Sequence, residues 1–276
     1  MKLFTIFLSL IFLARAALAA DVAVPIPSFR DPGQPLQAPS MEGMRAIRFL
    51  TDDDFPPLNY ALPDGSLAGF NVDIARAICE ELKVGCTIQA RRWDTLLPSL
   101  MEGKGDAIIA SLAPTAALRE TIDFSNPYYA TPARFVARKG AAAGEISAAA
   151  LAGQSIGVIA GSAHKAYLDA FFPGVVETTY PDADALRAAV KSGAVALAFG
   201  DGLEFAVWLN DPASAGCCAF RGGPYTESRF FGEGVGVALR KDDVALRHAL
   251  DWALARIEER GKYAELYLKH FPIGIY

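Results

Sequence analysis

The stretch Met101-Glu-Gly-Lys-Gly-Asp-Ala-Ile-Ile-Ala110 has a counterpart in Val190-Lys-Ser-Gly-Ala-Val-Ala-Leu-Ala-Phe199. Each stretch begins as the end of a helix, reaches a glycine that stops the helix, and continues as a short apolar run typical of a buried strand. The same helix–glycine–strand unit in both halves of the chain predicts a duplicated plan.

Strand and helix patterns alternate on both sides of these two stretches. The first half contains predicted strands at 47–51, 87–90 and 107–110 and predicted helices at 71–83 and 95–102. The second half contains predicted strands at 155–159, 175–179 and 195–199 and predicted helices at 164–172 and 184–191. A repeated βαβαβ order places a mainly parallel sheet with flanking helices in each half. The predicted fold class is therefore α/β with two lobes.

Two segments are predicted to cross between the lobes. The β-rich run 133–138 is not followed at once by a helix, and a second crossing is expected at 226–234. A strand at 234–240 and a helix at 243–260, capped by Asp242, would then return the chain to the first lobe. Lobe one is thus expected at 45–135 and 234–276 and lobe two at 138–228, with hinges at about 134–138 and 226–234. Paired linkers of this kind build a hinge.

The N-terminus is typical of an exported protein. Lys2, an apolar run at 3–13 and small residues before Ala19 predict a secretory signal peptide over residues 1–19. The alternative, a membrane anchor, requires a longer apolar run than Arg15 allows. Residues 20–44 form a proline-rich extension without an apolar period. We therefore expect a periplasmic protein, secreted through its N-terminal signal peptide.

The charge balance bears on the partners. Removal of the signal peptide changes the net charge from −5 to about −7. A mildly acidic surface argues against nucleic acid, which rewards clustered Lys and Arg. The three histidines lie far from any ligand-spaced partner, so we expect no metal and no cofactor. We expect a monomer.

Two pairs of cysteines are present. Cys79 ends a predicted helix and Cys86 opens a predicted strand, so they can meet at disulfide distance in an oxidising compartment. Two buried free thiols are the alternative. Cys217 and Cys218 are adjacent, and because adjacent cysteines bridge only with a strained backbone, we expect them to be free or mispaired.

Polar residues follow the predicted strands where ligands of open α/β sheets bind. Asp52 follows the first strand, Ser111 follows the third, and Ser162 and Asp201 occupy the equivalent places in lobe two. Small hydroxyl residues that open a helix favour a carboxylate, and an acid at a strand end favours an ammonium. The pattern predicts a site for a zwitterion, with the ammonium at Asp201. Taken singly, Ser162 is equally interpretable as a helix cap and Asp201 as a turn residue.

Five motifs together resemble the family-3 periplasmic solute-binding proteins, which include receptors for histidine, lysine/arginine/ornithine and glutamine. The resemblance spans residues 45–276. The motifs are Thr51-Asp52…Phe55-Pro-Pro, Gly69-Phe-Asn-Val-Asp-Ile-Ala75, Leu97-Pro-Ser-Leu100…Gly105-Asp-Ala-Ile108, Asp123-Phe-Ser-Asn-Pro-Tyr-Tyr129 and Gly232…Gly234-Val-Gly236…Leu239-Arg-Lys241.

The resemblance implies a fold, a function and a set of site residues. The fold would be the two-lobed type II form of periplasmic binding proteins, and the function would be delivery of a small polar solute, an amino acid above all, to the membrane permease of an ABC transporter. The resemblance also implies a disulfide between Cys79 and Cys86. Phe55 and Trp93 would flank the ligand side chain, and Asp52 would meet a cationic one. The groups implied for the ligand's carboxylate and ammonium are Ser111, Thr115, the amides of Ser162 and Ala163, and Asp201.

One departure from the family pattern concerns the carboxylate. The family usually places an arginine three residues after the threonine that matches Thr115, whereas this chain has Leu118 there and Arg119 one residue later. One residue rotates a side chain by about 100° around a helix. Arg119 is therefore expected to grip the carboxylate only if the helix start is shifted. The alternative is a different class of small organic ligand.

Two rival functions stay open. A few proteins that resemble this family are dehydratases of cyclohexadienyl acids, and Glu204 is the best candidate here for the single acid that such an enzyme needs, followed by Asp52. The chain contains no P-loop, and its Gly153-Gln-Ser-Ile-Gly157 opens a predicted strand instead of forming a strand-to-helix elbow, so we expect no enzyme. The second rival is a ligand-sensing module with a membrane partner.

Overall fold

The computed structural model describes residue 26 and residues 28–29, 37–141, 144–271 and 274–276. The predicted signal peptide and most of the proline-rich extension lie outside the described residues. No helix of the described part is long and apolar enough to cross a bilayer. The described residues also contain no group of three His, Cys, Asp or Glu side chains placed to share a metal ion.

Lobe one is built on a five-stranded sheet in the order β5-β1-β6-β13-β7, in which β1 runs parallel to β5 and β6. Its apolar core contains Phe70, whose ring centroid lies 5.2 Å from that of Phe271. The strands are β1 Ala46–Thr51, β5 Gly85–Ala90, β6 Ala107–Ile108, β7 Ile122–Phe124 and β13 Ala238–Arg240. The helices are α1 Phe70–Leu82, α2 Trp93–Met101, α3 Ala116–Thr121, α9 Val244–Glu259 and α10 Lys262–His270.

Lobe two is built on a second five-stranded sheet in the order β10-β9-β11-β8-β12. β9 is parallel to β10 and β11, whereas β8 is antiparallel to both of its neighbours. The strands are β8 Ala133–Arg138, β9 Ser155–Ile159, β10 Val176–Tyr180, β11 Leu197–Asp201 and β12 Cys218–Tyr225. The helices are α4 Ala148–Leu151, α5 Ala163–Phe171, α6 Ala183–Ser192, α7 Gly202–Asn210 and α8 Ser228–Phe231. The predicted α/β class with two lobes is confirmed.

The crossings differ from the prediction. Residues 133–138 pair along their length with β11 and β12, so this strand belongs to lobe two and the first crossing precedes Ala133. The chain therefore passes from the sheet of lobe one to that of lobe two between Phe124 and Ala133, before the residues predicted as the first hinge. The second crossing follows α8 and meets the first in one bridge, in which Val235 N donates to Tyr129 O at 2.7 Å. Tyr128 N also donates to Val235 O, and Ser125 N to Val237 O, each at 2.9 Å, so the two crossings lie side by side.

The predicted strand 234–240 is shorter in the structure, where β13 begins at Ala238. Gly234 has φ +97° and packs against Tyr129 O and Pro127, so the backbone turns there. Asp242 is not the helix cap that was predicted. The N-cap of α9 is Asp243. Its carboxylate does not cap the helix by a hydrogen bond but accepts one from Arg240 Nη2 at 3.4 Å.

Both cysteine pairs are disulfides. Cys79 at the end of α1 is bonded to Cys86 in β5, with a Cα–Cα distance of 5.7 Å. The predicted Cys79–Cys86 bridge is confirmed. The expectation for Cys217 and Cys218 is wrong, because these adjacent residues are also bonded to each other. They follow a turn in which Ala215 and Gly216 both have positive φ, and this bend lets the neighbouring side chains face each other.

A small sheet, which the sequence patterns did not predict, lies beside lobe one. It is formed by β2 Asp54–Phe55, β3 Asn59–Ala61 and β4 Leu67–Ala68. Phe55 pairs with Asn59, so the sheet holds the Phe55 ring at the mouth of the cleft described next.

Candidate functional site

A cleft of about 1120 Å³ is lined by residues from both lobes and from both crossings. Its two walls are therefore connected by the two crossings. Lobe one contributes Phe55, Pro56, Pro57, Leu58, Ser111, Ala113, Pro114 and Thr115; the crossings contribute Tyr129, Ala130, Thr131, Gly232, Glu233, Gly234 and Val235; lobe two contributes residues that include His164, Asp184, Arg187, Lys191, Asp201, Glu204, Trp208 and Asp211.

A smaller recess of about 390 Å³ adjoins the cleft on lobe one. Phe55 and Ser111 line both spaces, so the recess and the cleft are adjacent. The Phe55 and Trp93 side chains are 47% and 53% exposed, which leaves two large apolar faces available to a ligand. The recess is lined by Asp52, Asp54, Phe55, Trp93, Ala110 and Ser111.

Asp52 is the buried acid of this recess, with 6% of its surface exposed. Asn59 Nδ2 donates to Asp52 Oδ1 at 2.5 Å, and among the described residues no Lys, Arg or His forms an ion pair with it. Burial, assisted by the neighbouring Asp54 carboxyl, raises the pKa of Asp52 to about 6. A buried carboxyl without a cationic partner is poised to receive a positive charge.

Hydrogen bonds among neutral side chains hold the residues that surround the recess. Tyr128 donates its hydroxyl proton to Asn71 Oδ1 at 2.7 Å, and Asn71 Nδ2 donates to Asn59 Oδ1 at 2.6 Å and to Ser111 Oγ at 2.9 Å. Ser111 has φ +63°, a left-handed conformation that is uncommon outside glycine. The network therefore holds Ser111 in a strained conformation at the boundary of the cleft and the recess.

Asp201 ends β11 and lies on the lobe-two wall. Its Oδ1 accepts the backbone N–H groups of Leu203 at 2.8 Å and Glu204 at 3.0 Å, so the side chain caps α7. Both bonds use Oδ1, which leaves Oδ2 for a cation. Asp201 also acts electrostatically on the hydroxyl of Tyr129, which in turn is hydrogen-bonded to the Ser111 side chain. Asp201 of lobe two, Tyr129 of the first crossing and Ser111 of lobe one therefore lie near one another.

Two further titratable groups line lobe two. The His164 ring stacks on Phe231 at 5.3 Å, and its burial lowers its pKa although the nearby Asp201 raises it. Burial and the charge of Asp201 raise the pKa of Glu204, and Arg187 Nη2 lies 4.0 Å from Glu204 Oε2. His164 was not predicted to belong to the site. Its position directly after Gly161-Ser162-Ala163 was the available signal.

Of the remaining predicted site residues, Thr115 lines the cleft, whereas Ser162 and Ala163 do not. Thr115 lines the cleft and accepts Leu118 N at 3.3 Å as the cap of α3. Ser162 Oγ donates to Ile159 O at 2.7 Å and accepts Lys165 N at 3.1 Å, so it is occupied in capping α5. Ser162 and Ala163 are not among the residues that line the cleft, although Ile159 and His164 are.

Arg119 lies outside the lining of the cleft. Helix α3 starts directly after Thr115, without the shift that would rotate Arg119 towards the position of Leu118. Arg119 Nη2 is 3.2 Å from Glu233 Oε2, and its guanidinium lies 5.6 Å from the centre of the Phe124 ring. Leu118 packs on the apolar cluster that contains Phe124.

Comparisons with known proteins agree with this architecture. The model of the family described as bacterial extracellular solute-binding proteins, family 3, matches residues 47–273. An L-arginine-binding protein of Pseudomonas aeruginosa is 34% identical over 244 residues, which cover 87% of this chain and 93% of the relative. A lysine/arginine/ornithine-binding periplasmic protein of Escherichia coli is 32% identical, covering 83% of this chain and 89% of the relative. The fold matches the unliganded open L-cystine solute receptor of Neisseria gonorrhoeae, with a TM-score of 0.73, 20% identity, and coverage of 85% of this chain and 96% of the receptor.

Proposed function

Because the chain belongs to family 3 of the bacterial extracellular solute-binding proteins, we propose that it is the substrate-binding component of an ABC importer and that its ligand is an amino acid with a cationic side chain. The observation that carries the choice of ligand is Asp52. It is a buried carboxyl without a cationic partner among the described residues, in a recess between two exposed aromatic rings.

The recess suits a long basic side chain on three physical grounds. The Phe55 and Trp93 rings offer apolar contact to methylene groups and a favourable face to a cation. The Asp52 carboxylate compensates the positive charge at the end of the side chain, and that charge relieves the cost of ionising a buried acid. The named relatives bind arginine, or lysine, arginine and ornithine.

The main-chain groups of the amino acid would lie at the junction of the lobes. We assign the α-ammonium to Asp201, whose Oδ2 is available. The α-carboxylate would be held on lobe one by Ser111 and Thr115, which offer neutral donors, and the amides of Ser162 and Ala163 would approach from lobe two on closure. Arg119 would join them only if α3 rotates, because it is paired with Glu233 in this structure.

Closure about the crossings would couple binding to transport. A ligand seated against Asp52 gains the Asp201 contact only when lobe two approaches, so occupancy favours the closed state. The backbone hydrogen bonds of Val235 with Tyr128 and Tyr129 hold the crossings side by side, which is a suitable pivot. We propose that membrane permease subunits recognise the closed surface, and that the mature protein acts as a periplasmic monomer after removal of the signal peptide over residues 1–19.

We propose binding without chemical conversion of the ligand. The named relatives are binding proteins. Glu204 is the best-placed acid for a dehydratase because its pKa is raised and it lines the cleft. The Arg187 guanidinium next to Glu204 partly offsets that rise, and we propose that this acid holds a cationic group of the ligand instead of donating a proton.

The test is a calorimetric titration of the mature protein with L-arginine, L-lysine, L-histidine and L-glutamine. We expect L-arginine and L-lysine to bind at least tenfold more tightly than L-glutamine. Asp52→Asn should remove most of this preference, because it deletes the charge that meets the cation. Asp53→Asn is the matched control, since Asp53 is exposed and lines neither the cleft nor the recess. Equal affinity for L-glutamine and L-arginine would contradict the assignment.

A further inference from the structure

The charges that line the cleft and the recess are unbalanced. The acids are Asp52, Asp54, Asp184, Asp201, Glu204, Asp211 and Glu233. The bases among the described lining residues are Arg187 and Lys191. A cleft of this composition attracts cations and disfavours free carboxylates.

Both bases lie on α6 of lobe two and are already engaged. Arg187 Nη1 is 3.2 Å from Asp184 Oδ1, and Arg187 Nη2 is 4.0 Å from Glu204 Oε2. Lys191 Nζ donates to Ala213 O at 2.6 Å. A carboxylate that bound Arg187 or Lys191 would have to replace these partners.

Lobe one supplies no Lys or Arg to the described lining of the cleft or the recess. Arg119, which follows the lining residue Thr115 in α3, is held by Glu233 and rests on Phe124. Position 118, where the family usually has an arginine, is a leucine here. It packs on the apolar cluster of lobe one and supplies no charge to the cleft. Ser111 and Thr115 are left as neutral hydrogen-bond donors for a carboxylate.

The acids, in contrast, form a pair on each wall. Asp52 and Asp54 are hydrogen-bonded neighbours on lobe one, and Asp201 and Glu204 are neighbours at the start of α7 on lobe two. Phe55 lies between the recess and the open cleft. Each pair can hold one cationic group, while the aromatic face of Phe55 contacts the methylene chain that joins the two groups.

We infer that the site recognises two cationic ends of its ligand and does not require an α-carboxylate, so that the decarboxylated counterparts of basic amino acids are ligands as well. These are linear diamines and guanidino-amines. This inference rests on the proposed function, because it concerns the same cleft and the same hinge closure.

The experiment compares L-arginine with agmatine, and L-lysine with cadaverine, by calorimetry on the mature protein at pH 7.5. Each pair differs by the carboxylate alone. A carboxylate held by a charge-assisted bond would make the amine at least tenfold weaker. We expect the affinities within each pair to differ by less than tenfold. An amine that binds tenfold or more weakly than its amino acid overturns the inference.

The variants Arg187→Ala and Lys191→Ala test whether either basic residue of the cleft binds the ligand's carboxylate. We expect each variant to change the dissociation constants of L-arginine and agmatine by the same factor. A variant that weakens L-arginine but not agmatine would identify a carboxylate contact and overturn the inference. The ratio is measured within one protein, so a general loss of stability does not affect it.

The outcomes separate this inference from the proposed function. Binding of L-arginine without agmatine defeats the inference alone. Binding of agmatine without L-arginine supports the inference and defeats the amino-acid assignment. Binding of neither compound defeats both.

Discussion

Arg119 of lobe one and Glu233 of the second crossing form an ion pair, with 3.2 Å between Nη2 and Oε2. The pair joins α3 to the second crossing at Glu233, which lines the cleft, while Arg119 itself does not line it. The two side chains are 44% and 74% exposed, so the pair is worth at most about 1 kcal/mol. Its position determines how the ligand's carboxylate can be held.

The first prediction concerns Arg119→Ala. We expect the dissociation constant for L-arginine to change by less than about threefold, because the guanidinium does not line the cleft and the lost ion pair is solvent-screened. Calorimetry checks this, with Glu233→Gln as the matched variant that breaks the same ion pair. A tenfold loss with Arg119→Ala and none with Glu233→Gln would mean that Arg119 reaches the ligand in the closed state.

The second prediction concerns Asp201→Asn. We expect at least tenfold weaker ligand binding, because the substitution removes the negative charge assigned to the α-ammonium. An asparagine oxygen still caps α7, so the melting temperature should change little. Asp182→Asn is the control, since Asp182 caps α6 by accepting Ala185 N at 2.8 Å and does not line the cleft. Unchanged affinity in Asp201→Asn would remove Asp201 from the site.

The third prediction follows from the pKa of Asp52, which burial raises from 3.8 to about 6. A cationic ligand requires the ionised carboxylate, so its affinity should rise with pH between about 5 and 7, with a slope approaching tenfold per unit below pH 6. Asp52→Asn should bind more weakly and show a flatter profile. Protonation of His164, next to Asp201, acts in the same direction and supplies the remaining slope. A wild-type profile that is flat over this range contradicts the prediction.

The same shift has a consequence for the ligand-free protein. The folded state binds the Asp52 proton more tightly than the unfolded state does, so this group makes the free energy of unfolding fall as the pH rises from about 4 to about 6. Asp52→Asn should remove that decline while leaving other titrations in place. Urea unfolding of the two proteins at pH 4.5 and pH 7 measures the difference. A parallel decline in both proteins would assign it to other groups.

The fourth prediction concerns the disulfides. The Cys79–Cys86 bridge closes a loop with a sequence separation of 7, so replacing both cysteines by alanine should lower the free energy of unfolding by about 2–3 kcal/mol. The Cys217–Cys218 bridge joins adjacent residues and constrains almost no chain, so the corresponding double substitution should cost less. Urea unfolding of both variants tests the order. The reverse order would show that the vicinal pair has a structural role beyond chain entropy.

The alternation of strands and helices was predictable because the apolar periods were long. The predicted helix 71–83 is Phe70–Leu82 in the structure, and the strand 155–159 has the same bounds. Strands of two or three residues carry no measurable period, so β2 to β4 were missed. Strand β12 was missed because Gly222-Gly223-Pro224 within it is typical of a turn.

Residues of the candidate site were predictable where a strand end determines the position. Asp52, Ser111 and Asp201 follow strands, and all three line the cleft or its recess. Site residues on helices were harder to predict, because a shift of one residue in the helix start rotates each side chain by about 100°. Arg187 faces it from α6 and Arg119 of α3 does not, although neither orientation is evident from the sequence.

The measurement that tests the central claim most directly is a calorimetric titration of the mature protein with L-arginine at pH 7.5. The account predicts saturable one-site binding that Asp52→Asn weakens at least tenfold and Asp53→Asn leaves unchanged. Absence of binding by L-arginine and L-lysine, or equal affinity in wild type and Asp52→Asn, would contradict a cleft built for a cationic amino acid.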